Sequence, residues 1–176
     1  MIYIELVNEN DTVIGAEEKL LVHQKGLLHR ASSILVFNEK SELLIHQRAL
    51  HKYHSGGLWT NTCCGHPNAG ELMETAVHRR LSEEMGFDCP LEMKFKFHYT
   101  TEFGNGLIEN EIDHVYIGNY NGTFVVNPEE VATFRWIPLN ELMEDVEKNP
   151  EIYTFWFREI LRQDHFLALF GVALRD

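Results

Sequence analysis

The stretch Trp59-Thr60-Asn61-Thr62-Cys63-Cys64-Gly65-His66-Pro67 sets two thiols and an imidazole directly ahead of a carboxylate-rich segment, Glu71 to Phe87. A cysteine can move a proton or act as a nucleophile once its thiolate is reached. Further on, Glu83 and Glu84 stand side by side behind a glycine-bearing turn, a pattern able to hold a hard cation through carboxylate oxygens. Arg80 lies four residues before Glu84 and shares its face on a helix. A guanidinium beside a cation site binds phosphate oxygens rather than metal.

A second constellation is Glu109 and Glu111 with His23, His29 and His66. On a strand the two glutamates point to one face. Joined by three imidazoles they would form a mixed nitrogen and oxygen site, suited to Mn, Fe, Co, Zn or Mg. Along a strand Cys63 and Cys64 point opposite ways, so Cys63 is assigned to packing and Cys64 to chemistry. Neighbouring Cα atoms sit ~3.8 Å apart, closer than the ~4.4 Å lower end for a disulfide. Free thiols and a reducing compartment, the cytoplasm, are therefore expected.

These residues need elements to position them. Strand-like runs occur at Ile2–Val7, Thr12–Ile14, Ser33–Asn38, Glu42–Gln47, Trp59–Cys63, Phe95–Thr101, Ile112–Tyr120 and Phe134–Ile137. Asn38-Glu39-Lys40-Ser41 reads as a hairpin turn. Leu72, Ala76, Leu81 and Met85 recur at helical spacing, so Glu71–Met85 is expected to be a helix that stops at Gly86. Leu139–Val146 and Pro150–Gln163 read as two more helices, the second with its proline in the first turn. The mixture predicts an α+β fold, a mixed sheet flanked by helices, with residues 1–176 as one domain.

Of the 176 residues, 44% are hydrophobic and 24% charged, as in a soluble globular protein. The net charge of −12 argues against broad binding to nucleic acid or an anionic membrane, and an anionic substrate needs a local basic cluster. The sequence has no visible signal peptide and no apolar run near the ~20 residues of a membrane span. The apolar Phe166–Leu174 run is too short to span and reads as a packed helix end.

The spacing Gly65-x5-Glu71-x7-Arg79-Arg80-Leu81-Ser82-Glu83-Glu84-Met85-Gly86-Phe87 resembles the Nudix box, with Arg80 where the box has its first glutamate. Taken with Leu28–Ala31, Gln47–Leu50, the W-T-N-x-x-C-x-H-P string, Glu109-Asn110-Glu111 and the tract around Trp156, the chain resembles type 1 isopentenyl diphosphate isomerase, a branch of the Nudix superfamily. The matching segments run from about Lys19 to Trp156. The resemblance implies a Nudix fold and interconversion of isopentenyl and dimethylallyl diphosphate by protonation to a tertiary carbocation and deprotonation on the opposite face. It implies Cys64 and Glu111 as the catalytic pair, with Tyr99 beside the glutamate and Trp156 facing the reacting carbons. A divalent metal (Mn²⁺, Zn²⁺ or Mg²⁺) is implied at His23, His29, His66, Glu109 and Glu111. Lys19, Arg48, Lys52 and Arg80 are implied to hold the diphosphate, with Mg²⁺ bridging it to Glu84. Glu71 and Glu83 are expected to be structural. The expected protein is a monomer or weak homodimer that binds neither nucleic acid nor membrane.

Two other readings compete. A Nudix pyrophosphohydrolase of an organic diphosphate rests on the box alone, and Arg80 in place of glutamate counts against it. A non-catalytic diphosphate-binding domain would not need Cys64, Tyr99 and Glu111 together.

Overall fold

The structure is a computed structural model and describes residues 1–171. Its elements are β1 (Tyr3–Val7), β2 (Val13–Glu18), α1 (Lys19–Lys25), β3 (His29–Phe37), β4 (Glu42–Arg48), β5 (Trp59–Thr60), β6 (Cys63–Gly65), α2 (Met73–Met85), β7 (Leu91–Glu102), β8 (Ile108–Asn119) and β9 (Val131–Pro138). Then come α3 (Leu139–Lys148), a 3-10 turn at Pro150–Ile152, α4 (Phe155–Arg162) and α5 (Asp164–Phe170). The nine strands form one mixed sheet.

Strand β3 organises it. It runs parallel to β8, pairing His29 with Glu111 and continuing to Phe37 with Asn119, and antiparallel to β6, pairing Ser33 with Cys64. Both faces of its second half are covered, which accounts for the unbroken apolar run Ile34–Phe37. Ile34 and Val36 pack with Val77, Leu81 and Met85 of α2, while Leu35 and Phe37 pack with the cluster of Phe157, Ile160 and Phe166 from α4 and α5. The period of two along one strand thus divides the core into two layers. The expected α+β arrangement of a mixed sheet flanked by helices is what the chain adopts.

Some elements depart from expectation. Pro150–Gln163 is not one helix. Thr154 donates its N–H to the Trp59 carbonyl at 2.9 Å and Tyr153 bridges Trp59, so strand-like pairing interrupts the helix and α4 begins only at Phe155. The long helix starts at Met73 rather than Glu71, because Leu72 is extended and the Glu71 carboxylate accepts from the Asn68 N–H. The Trp59–Cys63 run splits in two. Thr62 Oγ accepts from Val36 N–H and donates to the Leu44 carbonyl, carrying the chain from its pairing with β4 to its pairing with β3. Strands β3 and β8 each begin four residues earlier than expected, at His29 and Ile108, and so contain His29, Glu109 and Glu111. Helix α1 was not anticipated. It has seven residues, starts at a Glu18 cap and stops at Gly26, whose φ of 61° is left-handed. Phe166 is buried in α5, while residues 172–174 of the expected Phe166–Leu174 helix end lie outside the described residues.

Candidate active site

His23 comes from the last turn of α1, His29 opens β3, His66 follows β6 and Glu111 lies near the start of β8. One ligand atom from each lies within 4.8 Å of all the others. The three Nε2 atoms converge on Glu111 Oε1, at 4.0 Å (His23), 3.1 Å (His29) and 2.9 Å (His66). The Nδ1 atoms of His23 and His29 sit 2.7 and 2.8 Å from the carbonyls of Lys19 and Leu27, which fixes the proton on Nδ1 and turns an Nε2 lone pair inward. Burial holds His23 below the usual imidazole range and drives His66 to about 3, so these rings are neutral. Two inward lone pairs facing a carboxylate oxygen repel one another unless a cation lies among them. The donor set, its burial and its carbonyl-fixed tautomers fit a divalent metal. His23, separated from His29 by a loop, is brought fully into the cluster.

Glu109 is not one of those four residues. It faces Tyr99, the cross-strand partner of Glu111, and its Oε1 lies 3.7 Å from His54 Nε2. The Tyr99 hydroxyl sits 2.6 Å from Glu111 Oε2 and 3.0 Å from Glu109 Oε2. Glu111 therefore turns one oxygen to the imidazoles and the other to the phenol. Burial pushes the Glu109 carboxyl well up, and the charge on Glu111 pushes it further.

Strand β6 sends its two cysteines in opposite directions. Cys63 is fully buried against α2. Cys64 Sγ opens onto a cleft of about 220 Å³ that Glu111, Tyr99 and Trp156 also line. Trp156 donates its indole N–H to Sγ at 3.2 Å, and the thiol donates to Asn61 Oδ1 at 3.1 Å. Both amide hydrogens of Asn61 go to backbone carbonyls, those of Ile34 and Cys63, so its oxygen is held toward the sulfur. Burial first, then the Asp113 charge, raises the Cys64 thiol to about 12. Asp113 accepts from Ser33 Oγ at 2.7 Å and is itself lifted to about 8 by burial and by Glu111.

Lys19, Arg48, Lys52 and Arg80 line the same cleft and supply the basic cluster that the acidic chain requires. Arg80 pairs with Glu84 and, at 2.7 Å, with Glu83. Its approach depends on Gly65, where a Cβ would come within 2.7 Å of Arg80 Cγ. Lys52 pairs with Glu130, whose carboxylate also lies 3.8 Å from Arg80. Arg48 stacks over Trp156 at 5.3 Å, and its buried Nε has no hydrogen-bond partner among the described residues. Burial, then Arg80, lowers the Lys19 ammonium from its ordinary value. Glu84 is buried, which raises its carboxyl against the pull of Arg80. Glu71 holds both Arg79 and the Asn68 N–H, and Glu83 holds Arg79 and Arg80.

Of the residues singled out from the sequence, Cys64, His66, Glu84, Tyr99, Glu109, Glu111, Trp156 and the four basic residues line one cleft, His23 and His29 reach it through Glu111, and Cys63, Glu71 and Glu83 lie away from it. Sequence reasoning missed Glu130, Asn61, His54, Ser33 and Asp113. Asn61 stood inside the quoted string, and Asp113 follows Glu109 and Glu111 at the same strand spacing. Glu130 and His54 sit in loops with no spacing signal.

A model of the NUDIX domain matches residues 27–157. Isopentenyl-diphosphate Delta-isomerase 2 of Aromatoleum aromaticum is 52% identical over 156 residues, covering 89% of this chain and 82% of the relative. The protein of the same name from Photorhabdus laumondii is 50% identical, covering 89% and 88%. Among solved structures, DR0079 from Deinococcus radiodurans superposes with a TM-score of 0.76 at 19% identity, covering 91% of this chain and 97% of that one, and shares the fold. Among the described residues no helix is long and apolar enough to cross a membrane. A sheet that carries the Nudix helix, a His/Glu cluster and this degree of likeness give one conclusion: the chain belongs to the isopentenyl-diphosphate Delta-isomerase family, within the Nudix fold.

Proposed function

We propose that this protein interconverts isopentenyl diphosphate and dimethylallyl diphosphate by metal-dependent allylic proton transfer. The observation that carries the reading is a thiol, Cys64, and a carboxylate, Glu111, on the two strands β6 and β8 that flank β3, with Tyr99 opposite the glutamate on β7 and all three lining one cleft with Trp156. A hydrolase has no use for that set, and Arg80 occupies a box position where a hydrolase carries a carboxylate.

In the forward direction one proton is added to the terminal alkene carbon. The resulting charge sits on the tertiary carbon, and a different proton leaves the neighbouring CH₂ to form the allylic product. Cys64 and Glu111 exchange these protons from opposite faces, with Tyr99 hydrogen-bonded to the glutamate. The indole face of Trp156 stabilises the cation, a contribution of ~2 kcal/mol or more when desolvated, and its bulk excludes water. Lys19, Arg48, Lys52 and Arg80 bind the diphosphate, displacing Glu130 from its cation partners. His23, His29, His66 and Glu111 would hold a divalent metal (Mn²⁺, Zn²⁺ or Mg²⁺), Glu109 would complete the set by turning from Tyr99 toward them, and Glu84 would hold Mg²⁺ with the substrate. When bound, these ions adjust the acidity of Glu111 and neutralise phosphate charge. The three free cysteines fit a reducing, cytoplasmic setting.

Proton and phosphorus NMR with isopentenyl diphosphate, Mg²⁺ and D₂O tests the reading. Dimethylallyl diphosphate carrying deuterium in its carbon chain, with the diphosphate intact, is expected. Phosphate release without isomerisation would overturn it.

A further inference from the structure

The cleft has a neighbour. A more open groove of about 470 Å³ runs beside it, with Leu58, Phe103, Tyr153 and Phe155 on its walls. Among the described residues one, His54, lines both spaces. Its ring is only 7% exposed. It stacks on Phe103 with centroids 4.8 Å apart and planes at 14°, and meets Trp156 edge-on at 6.0 Å and 85°. On the cleft side its Nε2 is 3.7 Å from Glu109 Oε1. His54 therefore bounds the end of the cleft beside Trp156 and Glu109, where the hydrocarbon of the substrate is proposed to lie.

The ring is firmly placed. The Arg48–Leu58 loop is closed by Arg48 N–H to the Leu58 carbonyl at 2.9 Å and by Gly57 N–H to the Arg48 carbonyl at 3.0 Å. Gly57, with φ of 80°, supplies the left-handed turn. Asn105, from the β7–β8 turn, donates to the Tyr53 carbonyl at 2.9 Å and ties the loop to the segment that carries Phe103. A wall fixed from two loops excludes chain by shape. Even one methylene of misfit in a hydrophobic pocket changes selectivity by about 10- to 200-fold, and an isoprene unit is several times larger.

We propose that His54 is the residue that sets substrate chain length. Its ring, backed by Phe103, shuts the cleft off from the groove and confines turnover to five-carbon diphosphates. Removing the ring joins the two spaces, and the groove then receives the apolar tail of a diphosphate one isoprene unit longer. The inference rests on the isomerase reading and sharpens it.

The test compares kcat/KM for isopentenyl diphosphate with that for a ten-carbon allylic diphosphate, in wild type, His54→Ala and His54→Phe. Wild type and His54→Phe are expected to favour the five-carbon substrate strongly. His54→Ala is expected to raise the ten-carbon to five-carbon ratio by about tenfold or more. General damage from the substitution lowers both values and leaves the ratio where it was. If a variant turns over too slowly, the ratio of competitive binding constants of the two diphosphates serves in its place. An unchanged ratio in His54→Ala, or efficient ten-carbon turnover by wild type, would overturn the proposal. Absence of five-carbon turnover in wild type would instead overturn the isomerase reading, so the two failures are distinguishable.

Discussion

The Tyr99 hydroxyl lies 2.6 Å from Oε2 of Glu111, on the oxygen turned away from the three imidazoles. One carboxylate thus faces two environments, a histidine cluster able to hold a divalent ion on one side and a phenol on the other. In Tyr99→Phe the cation site should persist while proton transfer suffers. We expect kcat to fall about 10²-fold or more, in the range of a lost general acid–base partner. KM should stay within a few-fold, because Tyr99 is outside the basic cluster. Steady-state kinetics separates the two.

The convergence of His23, His29, His66 and Glu111 predicts linkage between metal and stability. A divalent ion at one hundred times its dissociation constant stabilises by about 2.7 kcal/mol. For a chain of this size that raises Tm by roughly 5–10 °C. Calorimetry with chelator and with added Mn²⁺ or Zn²⁺ should show the rise, and His29→Ala should abolish it. An equal rise in His29→Ala would place the ion elsewhere.

Arg80 pairs with Glu83 and Glu84 beside the glycine that lets it approach. A lysine lacks the planar fork that reads two acceptors at once. Arg80→Lys should raise KM for the diphosphate about tenfold and lower stability by about 1–2 kcal/mol, since Glu84 is buried. Kinetics and urea melts report the two effects separately.

Asp11 anchors the β1–β2 hairpin by accepting from Arg30 Nε at 2.7 Å, Lys96 at 2.9 Å and His114 at 2.9 Å. Burial alone would raise its carboxyl, but the bonds from Arg30 and Lys96 and the His114 contacts outweigh this and hold it below 3.8. A depressed folded value stabilises above the unfolded one and is lost as pH falls through the folded one. Asp11→Asn should therefore cost about 2 kcal/mol near pH 5, and the difference from wild type should vanish as pH drops below 3.8. Urea midpoints across that range check the sign.

Much of the cleft was legible because its residues are clustered in short strings. Cys64 and His66 stand two apart around Gly65, and the alternation that separates Cys63 from Cys64 is a local property of a strand. The pairing of His29 with Glu111 was not legible, because it depends on the parallel register of β3 and β8, 82 residues apart. The break at Thr154 was hidden for a similar reason. Local periodicity favours one helix there, and the competing bond to Trp59 is tertiary. Glu130 has no motif. Only the fold brings its carboxylate to Lys52 and Arg80.

The most direct test of the account is isomerisation by Cys64→Ala and Glu111→Gln, each checked by circular dichroism for a native fold. The account predicts that both lose turnover by about 10³-fold or more while still binding the diphosphate, because each removes one of two complementary proton-transfer groups. Near-normal turnover by either folded variant would contradict it.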